Sequence, residues 1–146
     1  MKSALGSLIL FVLFGCQSTG TNNNDGISGI DDIKTKQYAI QGQQLYLQHC
    51  SNCHQEDGTG LTRLIPPLRK ADYMLADIDR SLYIIRYGLN GSIIVNDIEY
   101  NQPMPGNSNL TPLEIAQIGT YIYNVWGNRE GLITIEKVKE ALEKDQ

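Results

Sequence analysis

Cys50-Ser51-Asn52-Cys53-His54 is the stretch on which the reading of this chain turns. Two thiols two residues apart, followed at once by an imidazole, make the C-x-x-C-H pattern of covalent haem attachment. The spacing has a mechanical basis. Each thiol can add across one of the two vinyl groups of a haem, and the next side chain then aims its imidazole at the iron from one face. A bare C-x-x-C can instead be a redox-active dithiol, but that motif favours a strand–loop–helix setting. Here it follows a helical segment in a chain with little strand. A structural zinc needs about four ligands, and only Cys50, Cys53, His54 and His49 are on offer. The expectation is therefore one covalent haem c, attached at Cys50 and Cys53, with His54 on the iron. His49, the only other histidine, lies one residue before Cys50. It is badly placed to swing to the opposite haem face and reads as a polar helix-end residue.

A second axial ligand has to come from further along. Met104 sits in Gln102-Pro103-Met104-Pro105-Gly106, where flanking prolines stiffen the loop and fix the aim of the thioether sulfur. Met74 is the competitor. It lies in Ala71-Asp72-Tyr73-Met74-Leu75-Ala76, a helical or core segment in which a methionine ordinarily fills a packing gap. Met104 is the preferred ligand, and an open or water-bound iron is the remaining alternative.

The segments around the motif read as mostly helical. A helix is expected from near Lys36 to His49, with Tyr38, Leu45 and Tyr46 apolar and Gly42 one turn before Tyr46. A second fits Asp79 to Tyr87, stopped by Gly88. Ser92 to Tyr100 is β-branched and predicts a small hairpin around Asn96-Asp97. Asn101 to Asn109, with Pro103, Pro105 and Gly106, reads as a loop. The strongest helix signal starts at Thr111, with Pro112 at the first helical position and Glu114 completing a capping box. Ile115, Ile118, Ile122 and Val125 mark its inner stripe, and Gly127 is its expected end. A last short helix follows Thr134, with Val138, Ala141 and Leu142 facing inward. The aliphatic core is thin for the loop content, so a large bound apolar group would help to hold it together.

The amino terminus reads differently. Ala4 to Phe14 is an apolar run of eleven residues, against the roughly twenty needed to span a bilayer. It is expected to be the hydrophobic region of a signal peptide. Leu13-Phe14-Gly15-Cys16 resembles the lipobox of bacterial lipoproteins, which implies cleavage before Cys16 and lipidation of its thiol. Gln17 to Gly29, polar and without apolar periodicity, reads as a flexible tether. The organisation expected is a signal peptide over 1–15, a lipid anchor and tether over 16–35, and one folded domain over 36–146. This allocation also accounts for all three cysteines. The net charge of −4 leaves no basic footprint for nucleic acid. Arg63, Arg69 and Lys70 are the nearest thing to a cationic group and read as solvated charges that could steer an acidic partner.

Together these residues resemble a class I c-type cytochrome over roughly Tyr38 to Asn128. The motifs are Gly42 and Tyr46 ahead of C-x-x-C-H, Pro66-Pro67-Leu68 after it, Met104-Pro105, and Ile118-Tyr121 leading to Trp126-Gly127-Asn128. The resemblance implies an all-α cytochrome c fold, a small helical domain wrapped around one covalent haem. It implies that Gly42 and Tyr46 meet Ile118 and Tyr121 where the first and last helices of the family cross. It further implies that the Pro66 carbonyl accepts the Nδ1–H of His54, and that Trp126 is a core residue. Similar cytochromes often carry glycines in the hairpin before the ligand methionine, where this chain has Asn96-Asp97.

The function expected is single-electron transfer by a membrane-anchored, exported carrier facing the periplasm or cell exterior, with a dehydrogenase, oxidase or reductase as redox partner. It is expected not to be an enzyme. The alternative is a haem enzyme or a gas or redox sensor with a labile sixth ligand.

Overall fold

Asp32 opens the first helix. Its carboxylate accepts the Thr35 backbone N–H at 2.7 Å and the Thr35 hydroxyl at 2.6 Å, satisfying an amide that has no partner inside the helix. In the computed structural model, which describes residues 26–144, α1 runs Ile33–His49. It therefore begins ahead of the expected Lys36, because the cap lies further upstream. The residues before it are also organised. Ile27–Gly29 makes one 3-10 turn and Ile30 is buried, so folded structure reaches into the stretch assigned to the tether. The expected signal peptide, Cys16 and the tether up to residue 25 lie outside the described residues.

After α1 come α2 (Ser51–His54), α3 (Asp72–Ala76), α4 (Ile78–Tyr87), β1 (Gly88–Leu89), β2 (Ile93–Val95), β3 (Ile98–Tyr100), β4 (Met104–Pro105), α5 (Pro112–Ile122) and α6 (Ile135–Glu143). Helix α4 starts on the Asp77 carboxylate, which accepts Arg80 N–H, and stops at Gly88 with φ +83°. Helix α5 carries both halves of the expected capping box between Thr111 and Glu114. It ends at Ile122, well before Gly127. The cause is Asn124, whose side-chain amide donates to the carbonyls of Thr120 and Gly131 while its oxygen accepts Gly131 N–H. That side chain organises a loop in place of another helical turn, and Trp126 and Gly127 bend it with φ of 58° and 90°.

Two small antiparallel pairs complete the domain. β2 and β3 form the expected hairpin, with Ile93 opposite Tyr100 and Val95 opposite Ile98. Asn96 and Asp97 take φ of 49° and 63°, the positive values that a two-residue hairpin turn demands. Asn and Asp tolerate this region better than other residues with side chains, so they do the work of glycines here. The second pair corrects the sequence reading. The expected loop over 101–109 contains β4, which pairs with β1 so that Met104 lies opposite Leu89 and Pro105 opposite Gly88.

Helix α1 packs across α5, the most extensive helix contact. Gly42 permits it: a Cβ there would overlap the Gln117 carbonyl and lie 2.9 Å from Tyr121 Cβ. Beside it Tyr46, Tyr121 and Trp126 pack in mutually tilted or edge-on pairs with centroids 5.4–5.5 Å apart, a favourable aromatic geometry. Helix α6 covers α4 and α5 and buries Val138 and Ala141. Its Lys137, and Lys144 just past its end, both pair with Asp79 of α4.

Candidate functional site

The site begins where α1 stops. Cys50 caps that helix, its N–H donating to Tyr46 O at 2.8 Å. The single turn α2 then carries Cys53 and His54, and Gln55 turns the chain away with φ 63°. Cys50 is half-buried, Cys53 exposed and His54 buried. The Tyr46 hydroxyl, on a fully buried ring, donates to Gln55 O at 2.5 Å and ties this turn to α1.

The following loop folds back over the turn. Gly60 N–H donates to His54 O, while Gly58 O accepts from both Leu68 and Arg69 N–H. Gly60 has φ +71°, and a Cβ on it would run into the Pro66 carbonyl at 2.6 Å. This close packing brings Pro66 O to 3.0 Å from His54 Nδ1. A carbonyl only accepts, so Nδ1 carries the proton and donates. In a neutral ring, Nε2 then keeps its lone pair. Burial holds the His54 pKa below the usual imidazole value, partly opposed by the bond to Pro66. The neutral form is the one that binds a metal, and a partner on the other ring nitrogen fixes tautomer and orientation.

One large cavity joins these groups to the distant methionine. It is a cleft open to solvent, and the walls leave about 1050 Å³ between them when the open space at its mouth is included. Cys50, Cys53 and His54 border it, and so does Met104. Between them the walls are aliphatic, including Leu68, Ile85, Val95 and Ile118. Met74 also borders the cavity, but it is only 4% exposed and belongs to the core. Thiols, an imidazole with a free nitrogen, a thioether and apolar walls together fit a haem. They do not fit the rival chemistries. Burial, with Cys53 second, pushes the Cys50 thiol up to about 12, the opposite of the lowered value of a reactive dithiol. Among the described residues, no three His, Cys, Asp or Glu side chains converge as a metal-binding group.

His49 is exposed at the end of α1, and Trp126 packs against the core. Arg63, Arg69 and Lys70 are all exposed. The sequence reading missed how much of the cavity the β-structure builds. Leu89, Ile93, Val95 and Tyr100 all line it. The alternation of β2, with Ile93 and Val95 on one side, is the signal that points to this.

Comparison with known proteins bears on the family of the chain. A family model described as Cytochrome c matches residues 39–126. Cytochrome c-552 of Thermus thermophilus is 31% identical over 112 residues, covering 70% of this chain and 85% of that protein. The cytochrome c subunit of the quinone alcohol dehydrogenase of Gluconobacter oxydans is 33% identical over 91 residues. That match covers 60% of this chain and 18% of the subunit.

Proposed function

The chain belongs to the cytochrome c family, and we propose that it is an exported, membrane-anchored carrier of single electrons, with His54 and Met104 as the axial ligands of its haem iron. It binds one covalent haem c, and like its relatives it is an electron-transfer protein and not an enzyme. The observation that carries the axial assignment is the shared cavity. His54 and Met104, fifty residues apart in sequence, border the same apolar space with the two thiols at one side.

The haem supplies an iron that accepts or releases one electron. The chain does the rest. Cys50 and Cys53 provide the thioether links, which hold the group and fix its orientation. Pro66 holds the His54 ring with Nε2 available. The Met104 thioether, in place of a second imidazole, would favour the reduced state and so raise the reduction potential. The aliphatic walls exclude water, which acts in the same direction by disfavouring the extra charge. Held by His54 and Met104, the iron would offer no place for a substrate and would change its surroundings little on gaining or losing an electron. Redox encounters of this kind are brief and use small contact areas. The exposed Cys53 marks the side on which a partner approaches most closely.

Membrane anchoring through Cys16 rests on the apolar run Ala4 to Phe14 and the lipobox-like Leu13-Phe14-Gly15-Cys16. A dehydrogenase is the partner class favoured by the resemblance to a dehydrogenase's cytochrome subunit.

Expression of the full chain with a haem-attachment pathway tests the ligand assignment. The ferric protein should show the weak absorption band at the red end of the visible spectrum that reports methionine–iron coordination, and Met104→Ala should lose it. A wild type that is high-spin and binds cyanide at once would establish the labile-ligand reading instead. Cys16→Ser should move the haem from the membrane to the soluble fraction. Wild-type haem already in the soluble fraction would refute the anchor.

A further inference from the structure

Four separate contacts bind the segment after Met104 to one short stretch of chain, residues 85–89. Met104 and Pro105 pair with Leu89 and Gly88. Gly106 lies so close that a Cβ would meet the Arg86 carbonyl at 2.6 Å and Gly88 N at 2.7 Å. Asn107 N–H donates to Ile85 O at 3.0 Å, taking up a carbonyl that the end of α4 leaves without a helical partner. The fourth contact is the only one made by a side chain. The guanidinium of Arg86 donates to Leu110 O, just before the Thr111 cap of α5.

We propose that Arg86 is a positioning residue for Met104. It clamps the far end of the loop that delivers the sulfur, and this inference rests on Met104 being an iron ligand. The two ends of the loop are held differently. At Met104 itself the hold is a two-residue ladder, which alone is a weak constraint. From Gly106 to Thr111 the backbone arches over the last turn of α4. Leu110 seats its side chain in the core and its N–H donates to Asn107 O, which leaves its carbonyl as the point at which the arch can be tied back to α4. Arg86 closes it from the helix that already holds β1, so both strands of the ladder refer to one rigid base. The residue suits the place. It is half-buried, lies in the last turn of α4 where a positive charge is favoured, and makes a charge-assisted bond, stronger than a neutral one. Arg86 does not border the cavity, so it acts on the site only through the loop.

The test measures how often the sulfur leaves its seat. Cyanide binding to the ferric, haem-loaded protein requires that the methionine first come away. In Arg86→Gln the association rate should rise about tenfold, with Arg86→Lys in between because it keeps a charged donor. Asp79→Asn serves as the control. It loosens α4 from α6 without touching the loop, so it should lower the thermal midpoint and leave the cyanide rate unchanged. An Arg86→Gln rate equal to wild type, in a protein that shows the methionine–iron band, overturns the inference and leaves the ligand assignment standing. So does a rate that rises equally in Asp79→Asn, since that is the mark of general loosening. A wild type without the band, binding cyanide as fast as Met104→Ala, overturns both.

Discussion

Gly42→Ala should destabilise the protein, although on most helices the same change stabilises it. Alanine gains roughly 1 kcal/mol over glycine in a helix interior. Gly42 has ordinary helical backbone angles, since it is absent from the positive-φ positions, so the sign is set by space alone. A Cβ at this position overlaps the backbone carbonyl of Gln117 and presses on Tyr121 Cβ. A backbone carbonyl inside a capped helix cannot swing away as a flexible side chain could. The helices must separate, and with them the packed rings of Tyr46, Tyr121 and Trp126. Overpacking of a core costs about 1–3 kcal/mol, and a rigid obstacle puts this case at the upper end. Subtracting the propensity gain leaves a loss of about 2 kcal/mol. For a domain of roughly 100 residues that is a fall of about 8–16 °C in melting midpoint. Gly119→Ala is the internal comparison. There the nearest obstacle, at 3.0 Å, is the end of the Leu82 side chain, so a change of less than about 1 kcal/mol is expected. Thermal melts of both haem-loaded variants by far-UV circular dichroism decide the matter. A Gly42→Ala protein that melts at or above wild type would show that α1 and α5 do not approach as described.

Tyr123→Phe removes a buried hydroxyl that donates to Met74 O at 2.6 Å and should cost about 1–3 kcal/mol in chemical denaturation; no loss means that the Ser81 hydroxyl, 3.4 Å from the same carbonyl, satisfies it alone. Gly58→Ala must hold φ at +70° and press a methyl to within 2.6–2.8 Å of the Trp126 ring. A loss of at least about 1–2 kcal/mol, with a shift in tryptophan fluorescence, is expected, and an unchanged emission spectrum would argue against that contact. Hydrogen bonds from Lys137 and Lys144 hold the Asp79 carboxyl below its usual range. The stability it confers is complete above the unfolded carboxylate value near 3.9 and is lost as pH falls through the lower folded value. Wild type should therefore lose stability more steeply than Asp79→Asn as pH drops below about 4, and parallel pH–stability curves would rule out this linkage.

Much of this arrangement is legible in the sequence, for reasons that differ by region. Local chemistry declares itself. Thr111, Pro112 and Glu114 specify a helix start whatever surrounds them, and Gly88 specifies a helix stop. Asn96-Asp97 specifies a turn because few other residues accept the backbone angles. C-x-x-C-H is read from spacing because the chemistry is local to five residues. What escaped depends on contacts between distant segments. The start of α1 slipped because the apolar pattern begins only at Tyr38, whereas the Asp32 cap sets the start at Ile33. The end of α5 was misplaced because Asn124 finds Gly131 only once the loop has closed. β4 was hidden because Pro103 and Pro105 mask a strand only two residues long, whose partner follows α4. Gly106 beside Pro105 was the available clue, since a glycine there allows two backbones to touch.

The meeting of α1 with α5 also bears on how the domain comes to be folded. Gly42 and Gln117 are 75 residues apart, so their contact closes well over half of the described chain into one loop. The entropy of such closure falls due before the contact returns anything, and topologies of this kind fold slowly. Cys50 lies at the end of α1, and Ile118 and Ile122 of α5 border the same cavity. A group tethered at Cys50 would thus lie against apolar residues of both segments. Pigment and helix seam would then support each other, so that loss of one weakens the other.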